Sequence, residues 1–127
     1  MGSEIQIAFI QGDGIGVDVS DAALALVDAA LQKTGQAPAS YRDIAAGAGY
    51  FRETGRDIEP GGEQAAGKAD AIFLGAIGLP SVRHADGTEI SPHLRLRDIY
   101  QLYAGVRPVR AYPNAPQRLA DPRAADI

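Results

Sequence analysis

Ile5-Gln6-Ile7-Ala8-Phe9-Ile10-Gln11-Gly12-Asp13-Gly14-Ile15-Gly16 is the stretch from which the fold can be read. Its first six residues are mostly apolar and rich in β-branched side chains, as a short buried strand requires, and the run stops at closely spaced glycines. Strand, glycine turn, helix is the reading. Downstream, Ile15, Val19, Ala22, Leu26 and Ala30 recur at helical spacing and form the expected core face, while Asp18, Asp21, Asp28 and Gln32 fall on the opposite side. Asp18 and Asp21 sit in the first turns, where acidic groups complement the positive end of the helix dipole. The helix should close near Gly35.

Further along, residues 41–46 suit a second strand, followed by a glycine-broken segment with Gly47 and Gly49 and a short helix through Phe51. Pro60 suits the first turn of another helix, over residues 63–68, which leads into the apolar strand 69–74 ended by Gly75. Alternating strands and helices predict an α/β fold with a mostly parallel sheet, because parallel neighbours need a crossover connection. Residues 78–91 read as a long loop of the kind that often carries function. A helix is expected over 93–101 and a strand over 103–112, where Pro108 favours an edge or irregular position.

Composition is that of an ordinary globular protein, with 46% hydrophobic and 22% charged residues over 127 positions. A net charge of -4 gives no general reason to approach nucleic acid or an anionic membrane. The absence of cysteine excludes a disulfide framework, a thiolate nucleophile and a cysteine zinc site. The longest apolar stretch, residues 22–31, is broken by Asp28 and falls short of the ~20 residues a membrane span needs. Met1-Gly2-Ser3-Glu4 has no signal-peptide character, so a cytoplasmic protein is expected.

The glycine turn is not the usual dinucleotide fingerprint, since Val17 follows Gly16 and the third glycine of G-x-G-x-x-G is missing. Taken alone it is equally a tight strand-to-helix connection. A more specific signal is Leu96-Arg97-Asp98-Ile99-Tyr100-Gln101-Leu102-Tyr103-Ala104-Gly105-Val106-Arg107-Pro108, in which two arginines stand ten positions apart. Guanidinium groups present rigid forked donors that bind carboxylates bidentately. Either arginine alone is most simply a solvated surface residue.

Combined in order with residues 12–16 and with Gly75-Ala76-Ile77-Gly78-Leu79-Pro80, this segment resembles the β-hydroxyacid oxidative decarboxylases, the isocitrate/isopropylmalate dehydrogenase family. The resemblance spans essentially the whole chain. It implies the isopropylmalate dehydrogenase-like fold, incomplete in this chain, with residues 1–101 in a discontinuous first domain and 102–127 opening a second, substrate and dimerisation domain. It also implies NAD(P) and Mg²⁺ or Mn²⁺ as cofactors, a hydroxy diacid substrate and a homodimer. Arg97 and Arg107 are thereby assigned to substrate carboxylates, and Ser91 and His93 to the substrate's variable substituent, which these polar residues suggest is itself polar. Ser91 reads equally well as a helix cap with Pro92 at the first helical position. Ile15, Gly78, Leu79 and Pro80 are assigned to the dinucleotide. Arg95 and Arg110 do not match the clamp positions and are assigned to the surface, and His84 is read as neither base nor ligand.

Some residues depart from the family pattern. Gln11 replaces a proline, Val17-Asp18 replaces Pro-Glu, and Gln101 and Gly105 replace a common Asp and Asn. The family's tyrosine, lysine, metal-binding aspartates, third clamp arginine and Glu-Asn-x-Glu-Gly segment are expected beyond Ile127. This chain by itself is therefore expected to lack the catalytic and metal-binding residues and to be inactive. The alternative reading is a non-catalytic α/β module that binds a diacid or a nucleotide.

Overall fold

The computed structural model describes residues 4–112 and 114–116. Its elements follow the order β1 (Gln6–Ile10), α1 (Ile15–Lys33), β2 (Ser40–Asp43), α2 (Ala48–Thr54), α3 (Gly62–Lys68), β3 (Ala71–Leu74) and α4 (Pro92–Ile99). The strands form a parallel sheet in the order β2-β1-β3. Gln6 stands opposite Ser40, and Ile10 opposite Leu74. The expected α/β architecture is therefore present, with helices covering both faces.

Side-chain alternation along β1 divides those faces. Ala8 and Ile10 enter a core with Ile44, Ala46, Ile58, Ala66 and Leu96, so α3 and α4 cover that side. Phe9 turns the other way and packs against Tyr41 and Phe73, with ring centroids 6.5 and 5.6 Å away. Tyr41 donates a 3.0 Å hydrogen bond to Asp28 of α1, which places α1 over this second face.

The face that α1 buries differs from the expected one. Ile15, Val19 and Leu26 are 71%, 57% and 71% exposed, whereas Gly16 and Ser20 are buried and Ala23, Leu24, Val27 and Leu31 are half-buried. The contact face is displaced by one residue, about 100° of helix rotation. Close approach is the cause. A Cβ at Gly16 would lie 2.6 Å from the Ala76 carbonyl oxygen, and the Ser20 hydroxyl donates to the Gln11 carbonyl at 3.2 Å, so small residues must face inward here. Asp21 is exposed, as expected, and there accepts a hydrogen bond from the Gln11 side chain at 3.0 Å.

Other differences are smaller. β2 ends at Asp43 rather than continuing to Ala46, which forms an isolated bridge with Ile58. α3 is entered through Gly61 in left-handed geometry, so Pro60 lies just before the helix instead of in its first turn. Residues 103–112 form no strand; apart from a single bridge position at Arg110 they are irregular, with Tyr103 98% and Val106 87% exposed. Extended sequence becomes a strand only where a neighbour supplies ladder partners, and Pro108 has no N–H to offer. Of the expected second-domain opening over 102–127, residues 113 and 117–127 lie outside the described residues.

Candidate functional site

The loops leaving the carboxyl ends of β1 and β3 lie side by side. Asp13 N–H donates to the Ala76 carbonyl at 2.7 Å, Gly75 N–H to the Ile10 carbonyl at 2.7 Å, and Gly78 N–H to Asp13 Oδ2 at 2.8 Å. The chain winds from central β1 to β2 on one side and later to β3 on the other. The β1/β3 junction is thus the switch point of the sheet, the place where open α/β sheets bind ligands. Ile15 stands exposed at the first position of α1, where the first loop ends, while Gly78, half-buried Leu79 and exposed Pro80 lie on the second loop. A Cβ built on Gly14 would touch Leu79 at 3.7 Å, and one on Gly78 would meet nothing within 4 Å, so space is open beside the second loop.

Asp13 holds this arrangement, and the sequence reading gave it no role there. It is 7% exposed and accepts hydrogen bonds from Ala48 N–H at 2.8 Å, Gly49 N–H at 2.7 Å and Gly78 N–H at 2.8 Å. Its carboxylate therefore caps the first turn of α2 while fixing the second loop. In the sequence, a short acid between two glycines was the visible signal. Its donors lie 35, 36 and 65 positions away, beyond the reach of any local pattern.

Ser91 is the N-cap residue of α4 and Pro92 its first helical residue, as the capping reading expects. The Ser91 side chain, however, makes no capping hydrogen bond. His93 is half-buried, and its Nδ1 is buried without a hydrogen-bond partner. Arg97 lies one turn further along the same helix, so His93 and Arg97 occupy neighbouring positions on its surface. Both Arg97 and Arg107 are exposed. Arg107 folds back so that a Cβ at Gly105 would lie 3.0 Å from its Nη1, and it sits on irregular chain rather than on the expected strand. Leu96, next to Arg97, is buried in the core against which Ile77 of the second loop also packs, so α4 and that loop are braced by the same cluster.

Arg95 lies at the surface, 44% exposed in its side chain, yet it is engaged by two carboxylates. Its Nη1 and Nη2 donate to Asp57 at 2.6 and 3.1 Å, and its Nε to Glu63. Hydrogen bonding to Asp57 is the main cause that raises its pKa; partial burial opposes the shift and Glu63 adds to it. Tyr100 donates to the Glu63 carbonyl at 2.5 Å, tying α4 to α3 a second time. A 580 Å³ cavity lined by Phe51, Asp57, Glu63, His84 and Arg95 lies here, and Ser91, His93, Arg97 and Arg107 do not line it. His84 stacks edge-on against Phe51 at 5.0 Å, in keeping with a packing role.

Comparison with known proteins bears on the family and the fold. Residues 6–127 match the family described as isocitrate/isopropylmalate dehydrogenase. The chain is 29% identical over 123 residues to a D-malate dehydrogenase (decarboxylating) of Escherichia coli, covering 97% of this chain and 34% of that protein. It is 36% identical over 122 residues to a 3-isopropylmalate dehydrogenase of Beutenbergia cavernae, covering 94% and 34%. The crystal structure of a β-decarboxylating dehydrogenase from Thermococcus kodakarensis in its apo form superposes with a TM-score of 0.60 at 28% identity, covering 78% of this chain and 27% of that one. The chain thus spans about a third of the length of the curated relatives it matches. With its parallel sheet, paired glycine loops and ordered arginine motif, the chain belongs to the isocitrate/isopropylmalate dehydrogenase family.

Proposed function

We propose that these residues are the opening third of an NAD(P)-dependent, divalent-metal-dependent dehydrogenase that oxidatively decarboxylates a 2-hydroxy diacid of the isopropylmalate, isocitrate or tartrate type. The observation that carries this reading is the apposition of residues 12–16 and 75–80 at the β1/β3 switch point, bound through Asp13 and Ala76. Exposed Ile15 and the open space beside Gly78 suit a flat apolar ring and a closely approaching backbone, so the dinucleotide fits here with Ile15, Gly78, Leu79 and Pro80 as its contacts. When bound, the nicotinamide supplies the hydride acceptor.

Arg97 and Arg107 then hold substrate carboxylates through forked donors. Ser91 and His93 face the variable substituent, and the polar character of both side chains supports a polar one. Among the described residues no three His, Asp or Glu side chains gather to hold a metal ion. In this reading the metal ligands and the acid/base pair lie outside the described residues, and the working form is a homodimer whose second domain opens near residue 102. The alternative, a non-catalytic diacid or nucleotide module, has the same first step of binding and no turnover.

The test follows nicotinamide reduction by a polypeptide continued past Ile127, with Mg²⁺ or Mn²⁺ and isopropylmalate, isocitrate or tartrate in turn. Reduction with one of the more polar acids is expected. A clear preference for isopropylmalate would overturn the reading of Ser91 and His93, and binding without reduction would favour the non-catalytic module. The 127 residues alone should give no reduction at ordinary enzymatic rates of roughly 1–10³ per second.

A further inference from the structure

We infer that Asp13 is a positioning residue for the dinucleotide, holding the loop at Gly78 in the shape that the cofactor meets. The inference rests on the assignment of the two glycine loops to the dinucleotide and gives a role to a residue of the first loop that the sequence reading left without one. Three backbone donors from two separate parts of the chain end on one buried carboxylate: Ala48 and Gly49 at the start of α2, and Gly78 on the loop after β3. Among the described residues no Lys or Arg shares this carboxylate, so its charge is balanced by aligned N–H dipoles alone.

The surroundings are shaped to this one side chain. A Cβ at Gly47 would lie 2.6 Å from Asp13 Oδ2, and Gly47 also has a φ of +118°, a conformation that L side chains rarely adopt. Space for the carboxylate is therefore created by the chain that binds it. Oδ2 is shared between Ala48 and Gly78, so α2 and the loop cannot move independently without breaking a bond to the same oxygen. Among the described residues Gly78 N–H has no other hydrogen-bond partner; a Cβ there would meet nothing within 4 Å, and its φ of +124° is one that glycine adopts more readily than other residues. Asp13 thus removes, before binding, the loop freedom that a cofactor would otherwise have to remove on arrival.

Asparagine at this position keeps the size of the side chain but loses its charge: the NH₂ group takes the acceptor either from Gly49 or from Ala48 and Gly78 together, and the bonds that remain are neutral rather than charge-assisted. In the polypeptide continued past Ile127, followed by NMR, D13N should accelerate amide exchange at Gly78 while amides of the distant core, such as Ala66, keep their protection. It should also weaken NAD⁺ binding, read from shifts at Ile15 and Gly78, by about tenfold, the worth of one charge-assisted hydrogen bond. Equal NAD⁺ affinity in D13N and the parent would overturn the inference and leave the dinucleotide reading intact. Absence of NAD⁺-induced shifts in the parent would overturn the dinucleotide reading itself; the exchange arm then stands alone, and unchanged Gly78 exchange in D13N would overturn the loop-holding role. Should D13N fail to fold, the parent still decides: Ala48, Gly49 and Gly78 must open together, with protection within about threefold of one another. Exchange at Gly78 that is faster by orders of magnitude than at Ala48 would show that no common lock exists.

Discussion

Arg95 reaches from α4 to grip both carboxylate oxygens of Asp57, Nη1 to Oδ2 at 2.6 Å and Nη2 to Oδ1 at 3.1 Å. The same guanidinium also donates to Glu63 of α3. A bidentate pair with a third contact loses less to side-chain entropy than a single flexible ion pair, but 44% exposure of the arginine side chain leaves it screened by solvent. Replacing Arg95 with Ala should cost about 1 kcal/mol, the upper end for exposed pairs. That corresponds to roughly 4 °C in melting temperature for a chain of this size. Thermal unfolding at low and high salt checks it: the gap between parent and R95A should narrow as salt rises, and a gap independent of salt would point to packing instead.

Gly75→Ala should be far more damaging than its chemistry suggests. The new methyl would sit 1.9 Å from the Gln11 carbonyl oxygen and 2.5 Å from Ser20 Oγ, and the carbonyl belongs to backbone that cannot rotate away. The expected loss is about 3 kcal/mol or more, since overpacking against backbone must displace a strand end. Denaturant unfolding of G75A beside Gly35→Ala, where a Cβ meets nothing within 4 Å but φ is +67°, separates the cost of crowding from that of left-handed backbone strain.

Tyr41 links stability to alkaline pH. Its pKa is raised above the ordinary 10.0, first by burial and then by the hydrogen bond and charge of Asp28. A group whose folded pKa is raised holds its proton more tightly in the folded state, so its contribution is complete below about pH 10 and is lost as pH climbs through the folded value. Tyr41→Phe should therefore lose some stability at neutral pH and show a shallower decline above pH 10. Denaturation midpoints measured from neutral to alkaline pH test this, and parallel declines in the two proteins would refute it.

Arg97→Lys and Arg107→Lys should each weaken diacid binding by about tenfold or more, because lysine keeps the charge but not the fork. Calorimetric titration with a dicarboxylate would read the loss. Arg56→Lys serves as the control: Arg56 lines the cavity beside Arg95, away from the proposed clamp. Equal losses at all three positions would reduce the clamp to general electrostatics.

The sequence by itself determined the order of elements from β1 to α4 and the place of the two glycine loops, because strand runs, glycine stops and helical periodicity are local properties of neighbouring residues. Ile5 to Gly16 specified a strand, a turn and a helix, and Gly75 marked the end of β3. Which side of α1 faces the sheet was decided only by tertiary structure: hydrophobicity favoured Ile15, Val19 and Leu26, but the close pass of Ala76 admits only residues as small as Gly16 and Ser20. Asp13 and Arg95 were hidden for a related reason. Their partners lie between 32 and 65 positions away, and a hydrogen bond over such a separation leaves no trace in spacing or periodicity. Residues 103–112 show the converse, since a sequence suited to a strand is irregular here apart from a single bridge position at Arg110.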